Sequence, residues 1–390
     1  MNNAQRESLL LAPYAMHAAD SAGREHPEAA HPYRSPYQRD RDRVVHCAAY
    51  RRLAHKTQVF TGGMIEGRGG DYHRTRLTHT QEVASVARTL ARALRLNEDL
   101  VEALALLHDI GHPPFGHAGE ELLDTRLAAA GGRFNHNDQA VRIVTRLEHR
   151  YSGIAGLNLT HEVLDGQRRR ASKTKGAATP QGGSAASPLL EVQVVDAADS
   201  VAYDAHDADD ALELGMIELG DLAELSLWSE AMRRVRGRYA ALSDAELRRA
   251  TIHELLDWQV GDLLASTRAL LIERHITDID DVRHGPLLAV HSTELAEQKR
   301  QLESFLFRRV YRHPLVLAHR MEATAALGEL FDDLLAGRDL PAEPGADQPL
   351  DHAPYAEIAR DESPERAVAD YLASVTERHA LDAAGRASFA

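Results

Sequence analysis

At 390 residues with 44% hydrophobic content, the chain has ample apolar material for one large domain or two. Lys plus Arg total 45 against 59 for Asp plus Glu, and the formal charge of -14 excludes general electrostatic attraction to nucleic acid, leaving only local basic clusters for such contacts. The single cysteine, Cys47, excludes an internal disulfide or a thiolate metal cluster and reads as a small packed residue.

No apolar run approaches the roughly 18 residues of a membrane helix, and Met1 to Asp20 lacks the basic start and long apolar core of a secretory signal. A cytoplasmic protein with no membrane contact is expected. Helical periodicity dominates the chain and strand alternation is scarce, so the expected fold class is all-α. Arg39, Arg41 and Arg43 alternate with acids as on a solvated face. Gly62 to Asp71 is glycine-rich and reads as a flexible stretch. Val83, Val86, Ala87, Leu90 and Leu94 then recur at three- and four-residue steps, predicting a helix over about 77–96. Asn97 is a capping candidate for the next helix, which carries Leu100, Ala103, Leu104 and Leu107. That helix runs into His108-Asp109, two prolines break the chain at Pro113-Pro114, and a new helix opens with His117 and Glu120. Further helices are expected at about 137–149, at 188–214 with Ser187 as cap and Pro188 in the first turn, and through much of 222–336. Gly166 to Ser187, with Arg168-Arg169-Arg170 and then Gly, Ala, Ser and Thr, reads as a flexible surface insert, and Gly337 to Pro354 as another flexible stretch. No internal repeat is visible.

The chemistry gathers on a few of these segments. His79 begins one helix and His108-Asp109 closes the next, so side-by-side packing would bring three donors together. A fourth, acidic donor is expected from 188–214. There Asp199, Tyr203 and Asp207 stand at i, i+4 and i+8 and share a face suited to a ligand, a ring and a second carboxylate, with Asp196 as the alternative ligand in another register. Imidazole and carboxylate donors suit a divalent ion, Mg²⁺ or Mn²⁺ first and Fe²⁺, Co²⁺, Ni²⁺ or Zn²⁺ as alternatives, and leave room for water and a phosphate oxygen. This is a layout for metal-assisted hydrolysis of a phosphate ester. His117 and Glu120 read either as catalytic groups or as an N-terminal helix pair favourable to the dipole. His46, His149 and His313 read as surface or satisfied histidines.

The order His79, His108-Asp109, Asp199 resembles the HD-domain metal phosphohydrolases. The wider set resembles one branch, the deoxyguanosinetriphosphate triphosphohydrolase (dGTPase) family: Arg39-Asp40-Arg41-Asp42-Arg43, Tyr50-Arg51-Arg52-Leu53, Lys56-Thr57-Gln58-Val59-Phe60, Arg74 to Thr80, Phe134-Asn135-His136-Asn137, Asp196 to Asp207, Lys299 to Pro314 and Asp370 to Ala380. The resemblance covers about 34–380, a dGTPase-like HD domain with additional C-terminal helices, leaving 1–33 and 381–390 as tails. It implies that His79, His108, Asp109 and Asp199 bind the metal, and that His117, supported by Glu120, activates water or assists the leaving group. Gln58, Tyr203 and Asp207 match positions contacting the sugar; Arg76 and His112 match positions near the phosphates. The implied reaction splits a deoxynucleoside triphosphate (dNTP) into deoxynucleoside and inorganic triphosphate, for control of dNTP pools. The alternatives are a nucleotide-sensing or nucleic-acid-binding regulator with little turnover, and an HD hydrolase of another nucleotide. A homo-oligomer, plausibly a hexamer, and single-stranded DNA as an effector are also implied. Phe305, Leu306, Phe307 and Val310 offer apolar surface for subunit contacts or, equally, for an internal core. One departure stands out: Ser374-Val375-Thr376-Glu377 occupies the place where the family usually has Gly-Met-Thr-Asp.

Overall fold

The computed structural model describes residues 3–59, 74–174, 186–337 and 352–385, and within them the regular structure is helical, accompanied only by isolated bridges such as Thr57 to Thr75. Gly62 to Asp71 and most of Gly337 to Pro354 lie outside the described residues.

Three helices form the centre. Arg76–Leu94 starts at a capping box between Thr75 and Thr78, buries Val83, Ala84, Ala87, Leu90, Ala91 and Leu94, and ends where Arg95 turns left-handed at φ 58°. Asn97 then caps Glu98–Leu107 by accepting from the Leu100 N–H, and Glu98 and Asp99 in its first turn favour the helix dipole. Leu190–Glu213 packs against both, with Val192, Val194, Val195, Ala198, Ala202 and Ala205 buried. At about 1.5–3 kcal/mol for each fully buried Val or Leu, this stack outweighs any local preference for other conformations.

Several expectations require correction. Residues 166–174 belong to a helix, His161–Thr174, and are not a surface insert. Val163, Leu164, Gln167 and Ala171 face inward, so the apolar period is masked by a buried Gln, and Gly166 lets Leu104 and Val192 approach closely. Ser187 does not cap the next helix; its hydroxyl donates to Gly285 O and its N–H to Arg283 O, and Leu189 stands at the cap without a side-chain bond. The helix expected at 137–149 is α-helical only over His136–Arg142 before a π turn at Ile143–Leu147. Arg43 is not on a solvated face: it is buried, donates to the carbonyls of Leu157 and Asn158 at 2.9 and 2.6 Å, and pairs with Glu28.

Parts of the segments expected as tails are packed as well. Ala12, Ala15 and Met16 are buried, the Met16 N–H donates to Glu191, and Leu381 and Ala383 are buried on the Glu377–Ala383 helix. Leu306 and Val310 are fully enclosed beside Trp228 and Leu302 in a second core, so they are internal, whereas Phe307 is 51% exposed. A third core joins Leu123 and Leu127 of Gly116–Ala129 to Phe331 of Pro314–Leu335 and Leu372 of Pro364–Ser374. It thereby draws the C-terminus to the turn that follows His108-Asp109. No helix of the described residues is long and apolar enough to cross a membrane.

Candidate active site

Packing the three central helices side by side brings His79, His108 and Asp109 together, each offering a ligand atom within 4.8 Å of the others. Asp199 joins them from Leu190–Glu213, its Oδ1 lying 3.2 Å from His79 Nε2 and 3.8 Å from His108 Nε2. Asp196 turns instead to Arg170. The His108 ring is fully buried, donates from Nδ1 to Ala105 O at 2.6 Å, and leaves Nε2 without a hydrogen-bond partner among the described residues. An orphaned imidazole nitrogen facing two carboxylates, with its other nitrogen held by a carbonyl, is the arrangement of a metal-ligating histidine. Burial lowers the His108 pKa and favours the neutral, ligating form. Burial opposes ionisation of Asp109, but His112, His108 and Arg76 outweigh it and hold the carboxyl well below its usual range. These residues fit a divalent cation.

Beside them, His112 stacks on His136 with ring centroids 3.8 Å apart and 19° between planes, and His117 stands edge-on to both. Glu120 ties the group together. Its carboxylate lies 3.2 Å from His117 Nδ1 and 2.9 Å from His136 Nδ1, and accepts from the His136 backbone N–H and the Asn135 amide. Burial raises the Glu120 pKa, but bonds from His117 and His136 overcome this and keep it ionised. His112, His117, His136, Arg76 and Arg170 line a polar cavity of about 230 Å³ together with His79, Asp109 and Asp199.

An apolar cavity of about 290 Å³ adjoins it and shares Gln58, Val59, His117 and Tyr203 as a common wall. Phe115, Phe307, Tyr311 and Val316 supply much of its apolar lining, with His319 and Arg320 also on its wall. Asp207 lies buried behind this cavity and accepts the Tyr311 hydroxyl. Arg76 donates to Asp109 Oδ2 at 2.8 Å and to Gln58 O at 3.3 Å, so it braces a carboxylate as well as lining the polar chamber.

Five residues at this site escaped the reading of the sequence. His136 lay unremarked within the Phe134 to Asn137 block, and Arg170 was read as a loop charge. Tyr311 was hidden within the Lys299 to Pro314 block. Lys56 and Glu377 act from below: Lys56 Nζ donates to His112 O and Ala373 O, at 2.6 and 2.8 Å. Glu377 accepts from the N–H groups of Thr57 and Phe115, at 2.8 and 3.0 Å. Only the long-range pairing of residues 57 and 115 with 377 reveals that clamp, and no local pattern encodes it.

Residues 76–204 match the HD domain and residues 289–386 the phosphohydrolase-associated domain. The chain is 44% identical over 378 residues to deoxyguanosinetriphosphate triphosphohydrolase-like protein 1 of Deinococcus radiodurans, covering 97% of this chain and 96% of that one. It is 42% identical over 381 residues to a protein of Azoarcus sp. (strain BH72), covering 96% of each, and 41% identical over 376 residues to one of Ralstonia nicotianae, covering 95% of this chain and 92% of that one; both are called deoxyguanosinetriphosphate triphosphohydrolase-like. With HD-domain residues gathered at one cavity and such identity over nearly its whole length, the chain belongs to the deoxyguanosinetriphosphate triphosphohydrolase-like family of HD-domain phosphohydrolases.

Proposed function

We propose that this phosphohydrolase cleaves deoxynucleoside triphosphates to the deoxynucleoside and inorganic triphosphate. The observation that carries the reading is the pair of adjoining cavities, one polar and bearing the imidazole and carboxylate donors, the other apolar and floored by Tyr203 and Tyr311. A nucleotide has the same division, with charged phosphates at one end and sugar and base at the other. The relatives' names carry the same suggestion.

In this reading His79, His108, Asp109 and Asp199 hold the divalent cation. When bound, it would polarise a phosphate oxygen and acidify water. The chain's own groups do the rest. Arg76 and Arg170 offset the charge of the carboxylates around the phosphates. Water adds at the α-phosphorus as the bond to the 5′ oxygen breaks; the triphosphate gains the hydroxyl, and the 5′ oxygen leaves as an alcohol with the remaining proton. His117 moves that proton, while Glu120 holds its ring at Nδ1 and is itself held by His136. Gln58 and Tyr203 face the sugar, where a ring beneath the 2′ position disfavours a ribose hydroxyl, while Asp207, expected there from the family resemblance, is buried and holds the Tyr311 hydroxyl from behind.

The test is product analysis with the four dNTPs, the matching rNTPs, deoxynucleoside monophosphates and guanosine polyphosphates under Mg²⁺ and Mn²⁺. Triphosphate and deoxynucleoside in equal amounts are expected. Release of phosphate or pyrophosphate instead, or turnover of monophosphates alone, would overturn the proposal.

A further inference from the structure

The two carboxylates beside the imidazoles are divided in the same way. Asp109 turns Oδ1 toward His108 and His112, at 3.4 and 3.2 Å, and gives Oδ2 to Arg76 at 2.8 Å. Asp199 turns Oδ1 toward His79 and gives Oδ2 to Arg170 at 2.7 Å. Arg170 Nη1 also reaches Asp196 Oδ1, at 2.5 Å, so one guanidinium spans two carboxylates that stand three residues apart on Leu190–Glu213. Arg170 comes from another helix, His161–Thr174. The Asp199 side chain is 27% exposed against 8% for Asp109, so packing restrains it less and its orientation depends more on the bond to Arg170.

We propose that Arg170 is a positioning residue for the metal centre. It fixes Asp199 with Oδ1 toward the imidazoles, and Asp196 anchors the other arm of its fork. The inference rests on the metal-centre reading above.

A guanidinium beside a ligand has two opposed effects. Its charge repels a divalent cation, whereas its planar fork holds the carboxylate where the cation needs it. If repulsion dominated, removing Arg170 would tighten metal binding; if orientation dominates, removal weakens it. Arg170→Lys separates the two, because the ammonium keeps the charge but lacks the fork that spans Asp196 and Asp199.

The experiment is calorimetric titration of chelator-stripped protein with Mn²⁺, checked by electron paramagnetic resonance of the free ion, with circular dichroism to confirm retained helix. Wild-type protein and the variants Arg170→Lys and Arg170→Gln are compared. Loss of a hydrogen-bond partner that orients a metal ligand weakens metal binding by about 10- to 100-fold, and a loss in that range is expected for Arg170→Gln and, as the decisive case, for Arg170→Lys. Wild-type affinity in Arg170→Lys, or tighter binding in Arg170→Gln, would overturn the inference while leaving the metal centre intact. Wild-type protein that binds no Mn²⁺ would overturn the metal-centre reading itself, so the two failures are distinguishable. Should Arg170→Gln lose helix because Asp196 and Asp199 lose the guanidinium between them, Arg170→Lys still decides.

Discussion

His117 is the one imidazole of its cluster that stands largely in solvent, with a side chain 65% exposed, yet its Nδ1 is held by Glu120. A group so held acts in the transition state more than in binding, so His117→Ala should lower kcat by about 100-fold or more with little change in KM. Glu120→Gln should cause a smaller loss, and steady-state kinetics of both variants will show the split. Asp207 bears on stability. Burial pushes its pKa up to about 7 against the lowering effect of the Tyr311 hydroxyl, and Asp204 and Asp210 on the same helix are pushed up to about 6. For a carboxyl raised in the folded state, the stabilisation is fully present below the unfolded pKa of about 4 and is lost as pH rises through the folded value. Buried histidines whose pKa is lowered, among them His108, His112 and His206, act in the opposite sense over the same range, so the test is a difference: between about pH 4 and pH 7 the thermal midpoint of Asp207→Asn should gain steadily on that of the wild type. An unchanged slope in the variant would assign the effect to other groups. His79, His108 and Asp109 stand out in the sequence because they sit at helix ends, and Asp199 is favoured over Asp196 by the i, i+4, i+8 pattern together with the family resemblance. Arg170 does not stand out, since a charged triplet looks the same on a loop as on a helix whose third member points inward.

Helices with strong caps and apolar steps, such as Arg76–Leu94 and Glu98–Leu107, were readable almost to the residue. His161–Thr174 was not, because Gln167 and Arg170 turn inward from polar positions. Between helices, close approach sets the geometry. A Cβ added at Gly111 would lie 2.0 Å from His136 O and 2.4 Å from Ala140 N, so the turn after His108-Asp109 presses directly on His136–Arg142. Gly111→Ala must push that helix away and should cost about 1–3 kcal/mol of stability, read by denaturant unfolding, together with activity, because His136 moves with it. The Glu377 clamp predicts a related loss. Glu377→Ala leaves two backbone N–H groups, on Thr57 and Phe115, without their acceptor, at about 1–3 kcal/mol each. Turnover should drop while Mn²⁺ binding persists, since the clamp holds Gln58 and His117 but not the four metal-ligand candidates. Equal loss of metal binding would show that Glu377 supports the whole core.

Over the whole chain, helical class and the family followed from periodicity and ordered motifs, whereas the enclosed N-terminal segment and the C-terminal clamp depended on contacts between distant residues that no local pattern carries. Leu315, Leu317 and Met321 remain 41, 42 and 73% exposed on Pro314–Leu335, and apolar side chains of this kind are expected to be covered in a homo-oligomer. Light scattering should return a mass above that of one chain, and Met321→Glu should lower it; a monomer at assay concentrations would refute the expectation.

The bonds from Lys56 to Ala373 and from Thr57 and Phe115 to Glu377 close loops of chain that span most of the molecule. During synthesis the ribosome therefore releases the metal-ligand candidates, complete by Asp199, well before the residues that draw the loops around them into register. A nascent or prematurely terminated chain ending before residue 373 is expected to capture metal and fold its central helices while remaining catalytically silent. Competence would then arrive only once residues 373–377 have emerged and paired.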